Sequence, residues 1–168
     1  LYYAEEGDVP KVRNPLGVVY DLGLDYPMSP ITVTLNSVTE DPDDPLPRET
    51  VYFVYTWVTP WGEESLPSPV SVAVDIAEGQ TALLSYPDNQ PPSGSRIDRM
   101  RVYMTQTSAA GTTAFYFMDE LNTGVASSTY DPALNPLQEE LPSTDYDPPP
   151  DDLVGLTTLP NGFMAGFT

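Results

Sequence analysis

Apolar and polar positions alternate along much of this chain, with the period of strands that bury one face. Over residues 31–39, Ile31, Val33 and Leu35 stand against Thr32, Thr34 and Asn36. Residues 51–61 carry the strongest signal, with Val51, Phe53, Tyr55 and Trp57 on one side and Tyr52, Val54, Thr56 and Val58 on the other. Both sides are apolar, which predicts a central strand. After a turn at Gly62-Glu-Glu-Ser65, Val70, Val72, Val74 and Ile76 alternate with Ser71, Ala73, Asp75 and Ala77, so 51–61 and 70–77 are expected to form a hairpin. Shorter candidates follow at 80–86, 97–107, 113–121 and 127–130, separated by the turn-rich stretches 88–94, 109–111 and 122–124. Roughly seven strands at this spacing predict an all-β, antiparallel sandwich over residues 31–131.

The flanks have a different texture. Residues 1–30 hold short apolar pieces broken by Gly7, Pro10, Pro15, Gly17, Gly23 and Pro27, which predicts an extended lead-in arm. Residues 132–168 open with Pro132, Pro136, Pro142 and Pro148-Pro-Pro150, crowded by Asp145, Asp147, Asp151 and Asp152. This composition predicts a stiff, charged connector leading into a further domain. Within it, Pro136 could open a short helical turn over 135–140. The acidic, Pro-rich stretch Asp41-Pro-Asp-Asp-Pro-Leu-Pro47 must be loop.

The stretch Tyr52-Phe-Val-Tyr-Thr-Trp-Val-Thr-Pro-Trp-Gly-Glu-Glu-Ser-Leu-Pro-Ser-Pro-Val-Ser-Val resembles the penultimate strand, loop and last strand of a fibronectin type III domain. Ile97-Asp-Arg-Met-Arg-Val-Tyr-Met-Thr is similar to that family's Tyr-Arg-Val-Tyr-Arg strand, and Ser128-Thr-Tyr-Asp131 to the segment after it. The resemblance implies an immunoglobulin-like or fibronectin type III-like sandwich. Here the apparent last hairpin precedes the apparent middle strands, so the sandwich is either circularly permuted or assembled with different strand neighbours. A second resemblance, dispersed along the chain, is to tail and virion structural proteins of tailed bacteriophages. It rests on Leu1-Tyr-Tyr-Ala-Glu-Glu-Gly-Asp-Val-Pro-Lys11, on the Trp-Gly-Glu-Glu-Ser segment ending at Ser65, and on Gly155-Leu-Thr-Thr-Leu-Pro-Asn-Gly162. It implies a virion location and a structural role among other copies of itself and neighbouring virion proteins.

Composition narrows the function classes. The length of 168 residues suits one domain with connecting segments, and an apolar fraction of 40% supplies a core. Twenty prolines disfavour long helices. Six basic against 25 acidic residues leave a net charge of -19, which argues against binding nucleic acid through its phosphates and against docking on an anionic membrane. The absence of Cys and His removes disulfides, thiol nucleophiles, imidazole or thiolate zinc sites, and triads with a His base. No stretch of about 18 residues is continuously apolar, so no membrane insertion is expected. A start at Leu1 without a leader, and an apolar end at Thr168, suggest a piece of a longer polypeptide.

The chemistry left to such a chain belongs to carboxylates. Glu63 and Glu64, beside Trp57 and Trp61, are the pair a glycosidase would need. Adjacent acids in a turn are more often solvated, however, and Trp57 falls on the expected core face, so no catalytic residue and no enzyme is expected. Asp41, Asp43 and Asp44, and Asp145, Asp147, Asp151 and Asp152, offer hard oxygen ligands for Ca2+, but neither group has the spacing of a calcium loop. No cofactor is therefore expected. Arg96, Arg99 and Arg101 are half of all basic residues, and Arg99 and Arg101 lie opposite the face of Met100, Val102 and Met104. They serve either intramolecular salt bridges or a subunit contact. Together with the tyrosine surplus, Trp61, Glu63, Glu64, Arg96, Arg99 and Arg101 form the candidate interface. The rival expectation is a carbohydrate-binding or adhesion module of an extracellular protein, with Trp61 and the loop carboxylates meeting a host-surface glycan.

Overall fold

The computed structural model describes residues 2–4, 10–107, 113–142, 150, 152–160 and 164–167. Thirteen strands run through the described residues, and every pairing between them is antiparallel. The chain divides into two compact units, one made of residues 1–24 with 146–168 and the other of residues 25–145. The boundaries expected at 30/31 and 131/132 both fall inside the larger unit. In the smaller unit, β1 (Tyr2–Tyr3), β2 (Lys11–Arg13) and β3 (Val19–Asp21) make a three-stranded sheet in that order.

The larger unit contains β4 (Thr32–Leu35), β5 (Arg48–Val51), β6 (Phe53–Val58), β7 (Val74–Ala77), β8 (Ala82–Ser85), β9 (Arg99–Thr107), β10 (Thr113–Asn122) and β11 (Ser127–Tyr130). Two three-stranded sheets, β10-β9-β6 and β11-β8-β4, supply the core, and β5 pairs with β7. Strand alternation decides what goes inside. Phe53, Tyr55 and Trp57 of β6 stand opposite Met104, Val102 and Met100 of β9, and all six are buried. The sheets meet through aromatic pairs: Phe53 packs edge-on against Tyr130, with centroids 5.9 Å apart, and Tyr55 tilts against Tyr86 at 5.5 Å. Asp88 ties the entering chain to this core. Its carboxylate accepts the backbone N–H groups of Met28 and Ser29 at 2.8 and 2.6 Å, while its carbonyl accepts the Trp57 indole N–H at 3.2 Å.

The other face of β10-β9-β6 is also covered. Val54, Tyr103 and Leu141 form a buried cluster with Phe115 and Phe117 packed against it. Leu141 arrives there because residues 138–141 run along the edge of β10, with Leu141 N–H donating to the Phe115 carbonyl at 2.8 Å and Phe117 N–H to the Glu139 carbonyl at 2.7 Å. This corrects the short helical turn expected over 135–140. The unpaired edge of β10 has its own donors and acceptors to satisfy, and pairing with it outweighs the local preference of a proline at a helix start.

The expected hairpin exists at its two ends, where Val58 bridges Glu64 and Val51 pairs with Val74, but its middle differs from the expectation. Between them Ser65, Ser68 and Ser71 donate their backbone N–H groups to the carbonyls of Trp57, Tyr55 and Phe53, at 2.9, 2.8 and 3.0 Å. Their hydroxyl oxygens accept the N–H groups of the same three residues, at 2.9, 3.2 and 2.9 Å. Three residues of the returning chain thus stand opposite two of β6. Val70 and Val72, expected on the same face as Val74 and Ile76, are 50% and 73% exposed, and Ser71 is buried instead. The period here is three because Pro67 and Pro69 have no N–H to give a ladder, and the serine side chains replace what the backbone lacks.

The chain ends in β12 (Val154–Thr158) and β13 (Met164–Phe167), which pair with each other in the smaller unit. No helix among the described residues is long and apolar enough to cross a membrane.

Candidate functional site

All six candidate interface residues gather at the turn between β6 and the serine segment. The turn closes with the Gly62 N–H on the Thr59 carbonyl at 3.0 Å, Pro60 setting its second position. Gly62 takes φ +87°, where a side chain would be strained. Thr59 fastens the turn further: its N–H donates to the Glu63 carbonyl at 2.9 Å, and its hydroxyl accepts the Glu63 N–H at 3.0 Å.

Three arginines grip this turn. Arg96, whose side chain is only 5% exposed, pairs with Glu63 at 3.1 Å and sets its guanidinium 5.9 Å from the Trp61 ring centroid. Arg99 donates to the Thr59 carbonyl at 2.7 Å. Arg101 donates to Glu64 at 3.2 Å. Arg99 and Arg101 then share one acceptor, Glu120, at 2.9 and 2.8 Å. Trp61 sits at the tip, 55% exposed, whereas Trp57 is buried as expected.

The register of β10 explains why Glu120 is there. Phe115 and Phe117 pair with Thr105 and Tyr103 on the outer face, and an irregularity between Phe117 and Asp119 then shifts the pairing by one residue. Met118 drops into the core, and Glu120 rather than Asp119 stands opposite Arg101. Burial opposes ionisation of Glu120, but the hydrogen bonds from Arg101 and Arg99 outweigh it and hold its carboxyl below the ordinary range. Arg101 is held firmly protonated: burial works against its charge, and Glu120, Glu64 and Tyr103 more than offset this.

Glu64 is not the solvated turn residue expected. Its side chain is 5% exposed, and its Oε1 accepts the Thr56 hydroxyl at 2.7 Å and the Tyr103 hydroxyl at 2.5 Å, while Oε2 faces Arg101. Burial, with the adjacent Glu64 charge, pushes the Tyr103 phenol well above its usual value, so Tyr103 stays a donor. Both oxygens of this carboxylate thus accept donors from the chain itself, two on Oε1 and one on Oε2, which orders the turn. Thr56, Tyr103 and Glu120 are the site residues that sequence reasoning missed. An acid in the strand after Arg99 and Arg101 was visible, but the one-residue shift at Met118 was not.

The two aspartate groups stand apart from this site. The Asp41 carboxylate accepts the Asp43 N–H at 2.9 Å, so it caps its own turn. Asp145, Asp147 and Asp151 lie outside the described residues. Among the described residues no group of three or more acidic side chains is placed to hold a metal ion. No protein-family model matches the chain, and neither a curated protein nor a solved structure matches it.

Proposed function

We propose that this chain is a non-catalytic structural module of a tailed-bacteriophage virion, joining neighbouring proteins through the Trp61 turn. One observation carries the reading. Three arginines from β9 and the segment before it are spent on holding a single turn rigid, and that turn presents an exposed tryptophan. A pre-ordered aromatic anchor beside arginines is the arrangement that dominates protein interfaces, because little freedom is lost when it is buried. The fibronectin type III-like and phage-tail resemblances of the sequence support the placement in a virion, and the engagement of Glu63 and Glu64 with arginines supports a role other than acid catalysis.

Light scattering at physiological salt tests it. The parent protein should form a defined oligomer or ring, and Trp61→Ala should reduce it to smaller species while leaving thermal unfolding unchanged. A persistent monomer would overturn the assembly role. Glycan or peptide turnover lost in Glu64→Gln would overturn the non-catalytic one.

The exposure of Trp61 with Arg96 and Glu63 at its side also supports a second reading, an adhesion module that stacks a sugar on the indole. Quenching of Trp61 fluorescence by a host-surface glycan would favour it.

A further inference from the structure

A half-enclosed cavity of about 320 Å³ opens in the larger unit between β5, β7, β9 and β11, away from the Trp61 turn. Its floor is apolar, built from the buried side chains of Val51, Ile76 and Met104. Its rim is acidic: Glu49 and Glu78 line it, and neither carboxylate has an ion-pair partner among the described residues. Arg48 lines it too, but its guanidinium is engaged with Glu40 and with the Asp75 carbonyl. Tyr130, which is 7% exposed and packed on Phe53, shares the remaining wall with Pro47, Ala77, Gly79 and Pro132. The Tyr130 hydroxyl has no hydrogen-bond partner among the described residues. A phenolic oxygen in that state, in the wall of a half-enclosed cavity, is available to accept a donor from whatever enters it.

From this geometry we infer that the cavity binds a primary alkylammonium group on a short aliphatic stem, the chemistry of a lysine side chain. The stem covers Val51, Ile76 and Met104, as lysine stems do on apolar surfaces. The ammonium brings three donors and no acceptor, which suits a phenolic oxygen flanked by carboxylates. Burial, and the charges of Glu49 and Asp131, raise the Tyr130 phenol, so its oxygen remains a neutral acceptor. A carboxylate ligand would face the Glu49 and Glu78 carboxylates, and the one lining cation, Arg48, is already engaged with Glu40, in a chain of net charge -19. The volume is at the small end of ligand sites, which fits a single side chain or a small amine. A second copy of this chain is a poor source, since its single lysine, Lys11, is ion-paired with Asp21 at 2.6 Å. The occupant therefore comes from outside these 168 residues, as a protein lysine or as a free amine.

The test is a titration of the whole chain followed by the NMR methyl signals of Val51, Ile76 and Met104. The probes are pentylammonium, Nα-acetyl-lysine N-methylamide, pentanol and hexanoate. Saturable shifts with pentylammonium, weaker at high salt and absent with hexanoate, are expected. Tyr130→Phe should weaken them about threefold to tenfold, the worth of one hydrogen bond. The surface pair Glu49→Gln with Glu78→Gln should weaken them as well, without touching the core. Binding of the lysine amide points to a protein side chain, and binding of pentylammonium alone points to a free amine; both uphold the inference. No saturable shift with either ammonium probe, or equal binding of pentanol or hexanoate, would overturn it.

Discussion

The hydroxyl of Tyr103 in β9 donates to the carboxylate of Glu64, in the turn after β6, across 2.5 Å. Glu64 thereby joins the turn to the face of β9, and it accepts from Thr56 and Arg101 as well. Removing an acceptor from a buried network leaves its donors stranded, which costs more than the bonds were worth. Glu64→Leu, which strands two hydroxyls and one guanidinium contact, should lower stability by about 3–5 kcal/mol. Glu64→Gln keeps the shape and one acceptor and should cost about 2 kcal/mol. The half-exposed neighbour is the control: Glu63→Gln still offers the buried Arg96 guanidinium an amide oxygen and should cost about 1 kcal/mol, less than Glu64→Gln. Equilibrium urea unfolding of the three variants decides, and equal effects at 63 and 64 would show that the network adds nothing.

The serine segment makes a second prediction. The Ser68 hydroxyl oxygen accepts the Tyr55 N–H in the middle of the edge of β6. Ser68→Ala leaves that buried donor without an acceptor and should cost about 1–2 kcal/mol. Ser68→Thr keeps the oxygen and should recover part of it. Hydrogen exchange at the Tyr55 amide is the sharper check, because it should accelerate in the Ala variant beyond the global change in stability. An unchanged Tyr55 amide would mean that the hydroxyl contact is incidental.

These two sites show where sequence reasoning reached and where it stopped. The alternation of Arg99, Met100, Arg101, Val102 and Met104 sorted β9 into its faces, and Phe53, Tyr55 and Trp57 into the core, because burial on a strand depends only on a period of two. Residues 64–71 defeated the same logic. Val70 and Val72 fit a period of two as well as Ser65, Ser68 and Ser71 fit a period of three, and the choice is made by the edge of β6, which no local pattern contains. Residues 138–141 followed the edge of β10 in the same way. Arg99 and Arg101 were visible as a pair, whereas Glu120 depended on a one-residue irregularity in a partner strand. Long-range register is the information that was missing each time.

Buried phenols set the alkaline limit of this fold. Burial is the largest cause in each case: Tyr55 is pushed up to about 12, and Tyr86, Tyr103 and Tyr130 are raised as well. A raised folded-state pKa contributes stability that is fully present below the unfolded value, roughly 10 for tyrosine, and is lost as pH rises toward the folded value. Stability should therefore hold from neutrality to about pH 10 and then fall steeply. Tyrosinate absorbance should show these four phenols ionising together with unfolding. Smooth titration of these four phenols in the still-folded chain would contradict the burial. On the acid side the sign reverses. The depressed carboxyl of Glu120 contributes stability above about pH 4.3 that is lost as pH falls through its folded value.

Tyr130 differs from the other three raised phenols in one respect that stability measurements can read. Tyr55 and Tyr86 are hydrogen-bonded to the Asp88 N–H and the Ser128 hydroxyl, and Tyr103 to Glu64, but the Tyr130 hydroxyl has no such partner among the described residues. Its desolvation is therefore not offset in the folded chain. Deleting it while keeping the ring against Phe53 removes that cost and preserves the edge-on contact. Tyr130→Phe should stabilise the chain by about 1 kcal/mol, a rise of roughly 3 °C in Tm for a chain of this size. Tyr86→Phe, which strands the Ser128 hydroxyl, should do the opposite. Thermal unfolding of the two variants side by side checks the contrast, and a destabilised Tyr130→Phe would mean that the hydroxyl is satisfied in solution, by water or by an occupant of the cavity.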